Sequence, residues 1–210
     1  WGVRREEIQR RGMDVFFVVD VSRSMLAEDA APNRLERAKQ AISDTIERLG
    51  GDRAGIISFA GDAQVESPLT LNYRSLGLAL DEVSARTSTR GGSMLGEAIR
   101  LASRSFTDED AGGKAIVILS DGEDQESGPV EAARRAYEDR GIRIYTVGLG
   151  DSVDGERIPV FDRGRRTWLV HEGEVVRTRM ETEILERTAL AGEGAFIGAG
   201  TKQFDLGEIF

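Results

Sequence analysis

Val15-Phe16-Phe17-Val18-Val19-Asp20-Val21-Ser22-Arg23-Ser24 is an apolar run that ends in a cluster of oxygen-bearing side chains. A run this short, built from β-branched and aromatic residues, reads as a buried strand. In an open α/β sheet, ligands collect where strands end and loops begin. Here a carboxylate, Asp20, and two hydroxyls, Ser22 and Ser24, leave one strand end together. All three are hard oxygen donors of the kind that suit Mg²⁺ or Mn²⁺; Ca²⁺ is a third ion compatible with such donors. The same residues also suit a turn or a helix N-cap, so the motif needs partners before it means an ion site.

Working outward, strand and helix patterns alternate. Strand 14–20 leads into a loop containing Pro32. A helix from about 33 to 49 follows, with Leu35, Ala38, Ile42, Ile46 and Leu49 on one face. Asn33 can cap its start and Gly50-Gly51 can end it. Strand 53–60 turns at Gly61-Asp62, and so short a turn joins only antiparallel neighbours, which makes 63–67 an edge strand. Helices are predicted near 73–84, 94–106, 129–140 and 180–191, and further strands at 114–120, 142–148 and 195–198. Continuous apolar strands alternating with helices imply an α/β fold: a doubly wound, Rossmann-like, mostly parallel central sheet covered on both faces. Residues 151–179 interrupt the alternation; Thr167–Val170 and Val175–Thr178 flank His171-Glu172-Gly173-Glu174 and predict an inserted β-hairpin. Residues 1–12 are charged without a clean period and are expected to be a linker or frayed helix, leaving 13–210 as one domain.

Composition narrows the chemistry. The 210 residues contain no Cys, which excludes disulfides and thiolate metal sites. The single His, His171, argues against an imidazole-based zinc site or a Ser-His-Asp triad. A net charge of -9 argues against general nucleic-acid binding, although a bound cation could still bridge to an acidic partner. No stretch approaches the roughly 18 apolar residues needed to span a bilayer. The start at Trp1 and the apolar-patterned end at Leu206–Phe210 are those expected of a piece of a longer protein.

A second carboxylate, Asp121, ends the buried run Lys114–Ser120 in Ser120-Asp121-Gly122-Glu123-Asp124. Residues that end different strands of a parallel sheet meet at one edge, so Asp121 is expected near Asp20, Ser22 and Ser24. A third loop, Arg90-Gly91-Gly92-Ser93-Met94, opens the helix near 94–106. Ser93 can be that helix's N-cap, or it can turn its hydroxyl toward an ion; Thr70, Ser88 and Thr89 are weaker candidates.

Asp20-x-Ser22-x-Ser24, then Gly91-Gly92-Ser93, then Ser120-Asp121-Gly122 resemble, in order and spacing, the von Willebrand factor A (VWA) domain with its metal-ion-dependent adhesion site, or MIDAS. The resemblance covers nearly the whole chain. It implies a divalent ion held directly by Ser22, Ser24 and Ser93, with Asp20 and Asp121 acting mostly through bound water. It also implies one open coordination position for a partner protein's carboxylate. Ser93 stands where the family usually has threonine; the oxygen is kept and a methyl lost. Asn33-Arg-Leu-Glu-Arg-Ala-Lys39, Ser67-Pro68-Leu69-Thr70, Leu119–Asp124 and the lead-in Arg11-Gly12-Met13-Asp14 are further similar to bacterial Bat-type, aerotolerance-related proteins. That subfamily resemblance implies flanking transmembrane helices, a domain outside the cytoplasmic membrane, and an association with other Bat-type proteins and a MoxR-type AAA+ ATPase.

Hydroxyl-rich coordination leaves an ion much of its positive character, so it can bind an outside Asp or Glu strongly. The expected function is therefore a metal-dependent protein-interaction module, and not an enzyme. The rival is a haloacid dehalogenase-type phosphoryl-transfer hydrolase with Asp20 as nucleophile and Lys114 nearby. Ser22 stands at the position of that mechanism's general acid, which counts against it.

Overall fold

The structure is a computed structural model that describes residues 12–85, 93–107, 112–202 and 204–206. Strand β1 (Asp14–Asp20) is buried along its whole length. Side chains alternate across a strand, so Val15, Phe17 and Val19 enter one core while Phe16 and Val18 enter another. This two-sided burial is why the run is continuously apolar rather than alternating.

A 3-10 turn at Arg23–Leu26 carries the chain to α1 (Arg34–Ile46). Asn33 caps the helix as predicted, its Oδ1 accepting from the Glu36 N–H at 2.8 Å. The helix ends at Ile46, earlier than the apolar pattern suggested, and Leu49 packs on the core from the turn that follows. β2 (Arg53–Phe59) and β3 (Ala63–Thr70) come next, then α2 (Tyr73–Glu82), α3 (Leu95–Ser105) and β4 (Lys114–Ser120). After α4 (Pro129–Arg140) and β5 (Ile142–Leu149) come six short strands. These are β6 (Glu156–Arg157), β7 (Pro159–Asp162), β8 (Arg165–Trp168), β9 (Val170–His171), β10 (Glu174–Val175) and β11 (Arg177–Thr178). Helix α5 (Thr182–Ala191) and β12 (Phe196–Gly200) follow.

The main sheet has the order β12-β5-β4-β1-β2-β3. Every neighbouring pair is parallel except β2 and β3, so β3 is the antiparallel edge strand predicted from the Gly61-Asp62 turn. It is longer than predicted and continues to Thr70, accommodating two register shifts against β2. One face is covered by Leu35, Ala38 and Ile42 of α1 with Leu76 and Leu80 of α2. The opposite face is covered by Leu95 and Ile99 of α3, Ala132 and Ala136 of α4, and Leu185 of α5. On that second face Phe16 meets Phe106 edge-on at 5.0 Å, and Gly55 lies beside it on β2; a Cβ at 55 would stand 2.4 Å from the Phe16 ring.

The insertion is more elaborate than one hairpin. β6 pairs with β11 to close its base, β7 pairs with β8, and β9 pairs with β10. The predicted hairpin is β9–β10, turning at Glu172 (φ 50°) and Gly173 (φ 88°). The β7–β8 hairpin, turning at Arg163 (φ 47°) and Gly164 (φ 78°), was not anticipated. Both turns need two successive positive φ angles, as in a type I′ hairpin, and Arg163-Gly164 lacks the usual Asn or Asp signal. No helix among the described residues is long and apolar enough to cross a membrane.

Phe16→Ala is expected to cost about 3–5 kcal/mol, because a buried ring and its aromatic partner contact are both lost. Urea unfolding should show a lower midpoint at unchanged slope.

Candidate metal centre

β1 and β4 are neighbours, with Val19 opposite Leu119. Asp20 and Ser120 therefore leave the sheet side by side, and Asp121 follows by one residue. Connections from β1 and β4 run to opposite sides of this pair, which makes it the point where the strand order reverses and a crevice forms. The five predicted residues Asp20, Ser22, Ser24, Ser93 and Asp121 are brought together there, and all are buried.

Asp20 is the hub. Its Oδ1 accepts from the Ser22 N–H at 2.9 Å, and its Oδ2 accepts from Ser120 Oγ at 2.7 Å. Ser93 Oγ donates toward the same carboxylate, 3.2 Å from Oδ2 and 3.3 Å from Oδ1. Ser22 Oγ and Ser24 Oγ lie 2.9 Å apart, and Ser24 also hydrogen-bonds Asp121. Ser120 was given no role from sequence; it also accepts from the Gly122 N–H at 2.9 Å and so shapes the turn that carries Asp121.

Ser93 is not the N-cap of α3; its hydroxyl faces Asp20. Met94, not Ser93, precedes the first helical residue, and it makes no side-chain cap bond. The open N–H groups of α3 are met from another loop: Leu95 N donates to Asp124 Oδ1 at 3.0 Å and Gly96 N to Ser127 Oγ at 2.7 Å. Gly96 allows that approach, since a Cβ there would lie 2.3 Å from the Ser127 carbonyl oxygen. Asp124 is thereby committed to capping. Of the alternatives to Ser93, Thr70 pairs with Ala54 near the opposite end of the sheet, away from the strand-end crevice; Ser88 and Thr89 lie outside the described residues.

Arg34 is the residue that sequence reading missed. It is fully buried and reaches Asp121 and Asp29 at once. Nη1 donates to Asp121 Oδ2 at 2.9 Å and to Thr178 Oγ1 at 3.1 Å; Nε and Nη2 hold both oxygens of Asp29 at 2.9 and 2.7 Å. Gly150 (φ 111°) lies against the guanidinium, where a Cβ would stand 2.4 Å from its carbon. The signal was present: Arg34 stands on the buried stripe of α1 with Ala38, Ala41 and Thr45, where a charge is out of place unless it is paired.

Thr178 belongs to the insertion. Its Oγ1 donates to Glu123 Oε1 at 2.7 Å, and just beyond it Glu181 N donates to the Asp121 carbonyl at 2.7 Å. The insertion's exit strand is thus fastened to the site.

Electrically, the centre holds more negative charge than its own groups satisfy. Burial pushes the Asp20 carboxyl up to about 7, and the neighbouring Asp121 charge adds to the rise. Burial also raises Asp121 against the attraction of Arg34, and burial with repulsion from Asp121 raises Glu123. Asp29 goes the other way: burial would raise it, but hydrogen bonds from Arg34 and the Asp151 N–H hold it below the usual carboxylate range. Hard oxygen donors beside under-compensated carboxylates fit a divalent cation. Among the described residues no three His, Cys, Asp or Glu side chains converge on a common point, so an ion here would depend on the serine hydroxyls. His171 is exposed on the insertion, away from these groups.

These features are those of a doubly wound α/β domain whose strand-end crevice is lined by hydroxyls. Residues 15–123 match the von Willebrand factor type A domain. The chain belongs to that family, a family of metal-dependent protein-interaction modules. The conserved hypothetical protein BatB from Bacteroides thetaiotaomicron is 38% identical, with a TM-score of 0.85 over 92% of both chains. An aerotolerance-related membrane protein from Bacteroides fragilis is 37% identical, with a TM-score of 0.83 over 89% of this chain and 91% of that one. Among curated proteins, a UPF0353 protein of Mycolicibacterium paratuberculosis is 32% identical over 73% of this chain and 51% of its own length. The chain therefore spans about half the length of that relative.

Two outcomes follow from the buried charges. Arg34→Met should destabilise by about 3–5 kcal/mol, because it strands Asp121 and Asp29 without a counter-charge. Adding Asp121→Asn should recover part of that loss in thermal unfolding. The Asp20 carboxyl is raised on folding, so the metal-free folded state binds its proton more tightly than the unfolded chain. This contribution is present below about pH 4 and is lost as pH rises to about 7. Melting temperatures followed across that range in EDTA should show the fall, and Asp20→Asn should flatten it.

Proposed function

We propose that this domain docks partner proteins through a divalent ion at the β1–β4 strand ends. Ser22, Ser24 and Ser93 would hold the ion, Asp20 and Asp121 would act mainly through bound water, and a partner's Asp or Glu would fill the remaining position. One observation carries the reading: three hydroxyls surround two carboxylates whose oxygens already accept protein hydrogen bonds. Asp121 is engaged by Arg34 at Oδ2 and by the Glu123 N–H at Oδ1, 3.3 Å away, which favours a water-mediated role over direct ligation. An ion with few anionic ligands keeps its affinity for an outside carboxylate. Mg²⁺ suits such a site because it retains waters readily; Mn²⁺ and Ca²⁺ are the other ions to test.

We place the parent protein in a bacterial cytoplasmic membrane with this domain outside the cytoplasm; likeness to an aerotolerance-related membrane protein supports the membrane association. Other Bat-type proteins and a MoxR-type AAA+ ATPase system are the partners we would look to first. The hydrolase alternative is disfavoured by register: Lys114 pairs with Asp14 at the start of the strands, a full strand length from Asp20.

A pull-down from a bacterial membrane extract tests this reading. Capture by the wild-type domain in Mg²⁺ is expected, with loss in EDTA and in Ser22→Ala. Capture that ignores both changes would sink the metal-dependent reading.

A further inference from the structure

The insertion is mostly exposed. Among the described residues of 151–180, Ile158, Pro159, Thr178 and Met180 are the buried ones. Three of these are apolar; Thr178, 3% exposed, is the polar exception. A valine would fill the same space at the end of a short strand. A buried hydroxyl there is explained by the hydrogen bonds it makes.

Those bonds all run to the strand-end crevice. Thr178 Oγ1 accepts from Arg34 Nη1 at 3.1 Å and donates to Glu123 Oε1 at 2.7 Å. It lies 3.5 Å from Asp121 Oδ2, the oxygen that Arg34 Nη1 also holds at 2.9 Å. The Thr178 carbonyl accepts from Arg34 Nη2 at 3.3 Å. One guanidinium thus serves the β4 strand end and the insertion's exit strand together. Two and three residues on, Met180 N donates to the Asp151 carbonyl at 2.8 Å and Glu181 N to the Asp121 carbonyl at 2.7 Å. The charges around this hydroxyl are unequal: Asp29, Asp121 and Glu123 face a single cation, Arg34, with Asp20 buried beyond Asp121. Asp121 and Glu123 therefore repel each other across Thr178, and the repulsion bears on the contacts that hold the exit strand. Positive charge placed in the crevice offsets it and lets those contacts close.

We infer that Thr178 is a positioning residue of the ion site. Through its hydroxyl, ion binding tightens the insertion's exit strand, and the fastened exit strand tightens ion binding by the same factor, since such coupling is reciprocal. The inference rests on the metal-docking reading and adds the inserted segment to the machinery of that site.

Amide hydrogen exchange of residues 176–185 and calorimetric titration with Mg²⁺, both starting from EDTA-treated protein, test the link. In millimolar Mg²⁺ the exchange of this stretch should slow about fivefold, with no such slowing over α2. Thr178→Val should lose the slowing and weaken Mg²⁺ binding by about the same factor, and Thr178→Ser should restore both. Glu123→Gln is an arm independent of how well the valine variant folds. It keeps an acceptor for Thr178 and removes a charge, so residues 176–185 should exchange slowly already in EDTA. Mg²⁺ binding without local slowing, or with equal slowing over α2, would overturn the link and leave metal docking intact. Slowing that survives Thr178→Val, or Glu123→Gln exchanging like the wild type in EDTA, would also overturn it. Absence of any Mg²⁺ binding would overturn metal docking and this inference together.

Discussion

Two carboxylates, Asp20 and Asp121, are buried at adjacent strand ends, and the arrangement stands only because Arg34 supplies a counter-charge from the opposite side. Without a positive group, two buried like charges a few ångströms apart would take up protons or force the strand ends apart. Arg34 reaches Asp121 but not Asp20, so the compensation is incomplete, and the buried Asp20 carboxyl is met by the hydroxyls of Ser93 and Ser120. A fully compensated pair would have little use for an ion. A fully uncompensated one would not stay buried.

The same guanidinium reaches beyond the crevice. It holds Asp29, whose carboxylate accepts from the Asp151 N–H at the start of the insertion, and it holds Thr178 at the insertion's end. Both ends of the 151–179 segment are therefore anchored to one side chain, and through it to Asp121. A planar fork of five donors can serve three acceptors in fixed directions, which a lysine ammonium on a flexible stem could not. This explains how a surface elaboration of short two-stranded ladders, which alone would be marginal, keeps a defined position beside the site.

Neighbouring loops divide the labour. Helix α3 needs its first N–H groups satisfied, and the nearest hydroxyl in sequence is Ser93. Asp124 and Ser127 arrive from the β4–α4 loop to do that work, which leaves Ser93 Oγ free to face Asp20. Glu123, two residues after Asp121, is turned instead to Thr178. Of the three acidic residues in Asp121-Gly122-Glu123-Asp124, one faces the crevice, one fastens the insertion and one caps a helix.

Local pattern carried the fold. The Val15–Val19 run, flat in polarity where a one-sided strand would alternate, already required helices on both faces of a parallel sheet. Parallel pairing then forced Asp20 and Asp121 to one edge, so most of the candidate site was legible as strand tails. The hairpin at Arg163-Gly164 was not: its strands carry Asp162, Arg165 and Arg166, without the apolar alternation that marks a strand. Neither was Arg34, whose partners Asp121 and Thr178 lie 87 and 144 residues away. Sequence periodicity records which face of an element is buried, and so it determined the sheet, its coverings and the hydroxyl-bearing strand ends. It does not record which distant group answers a buried charge. That choice, together with the release of Ser93 from capping, was decided only when tertiary packing brought separate loops within hydrogen-bonding distance.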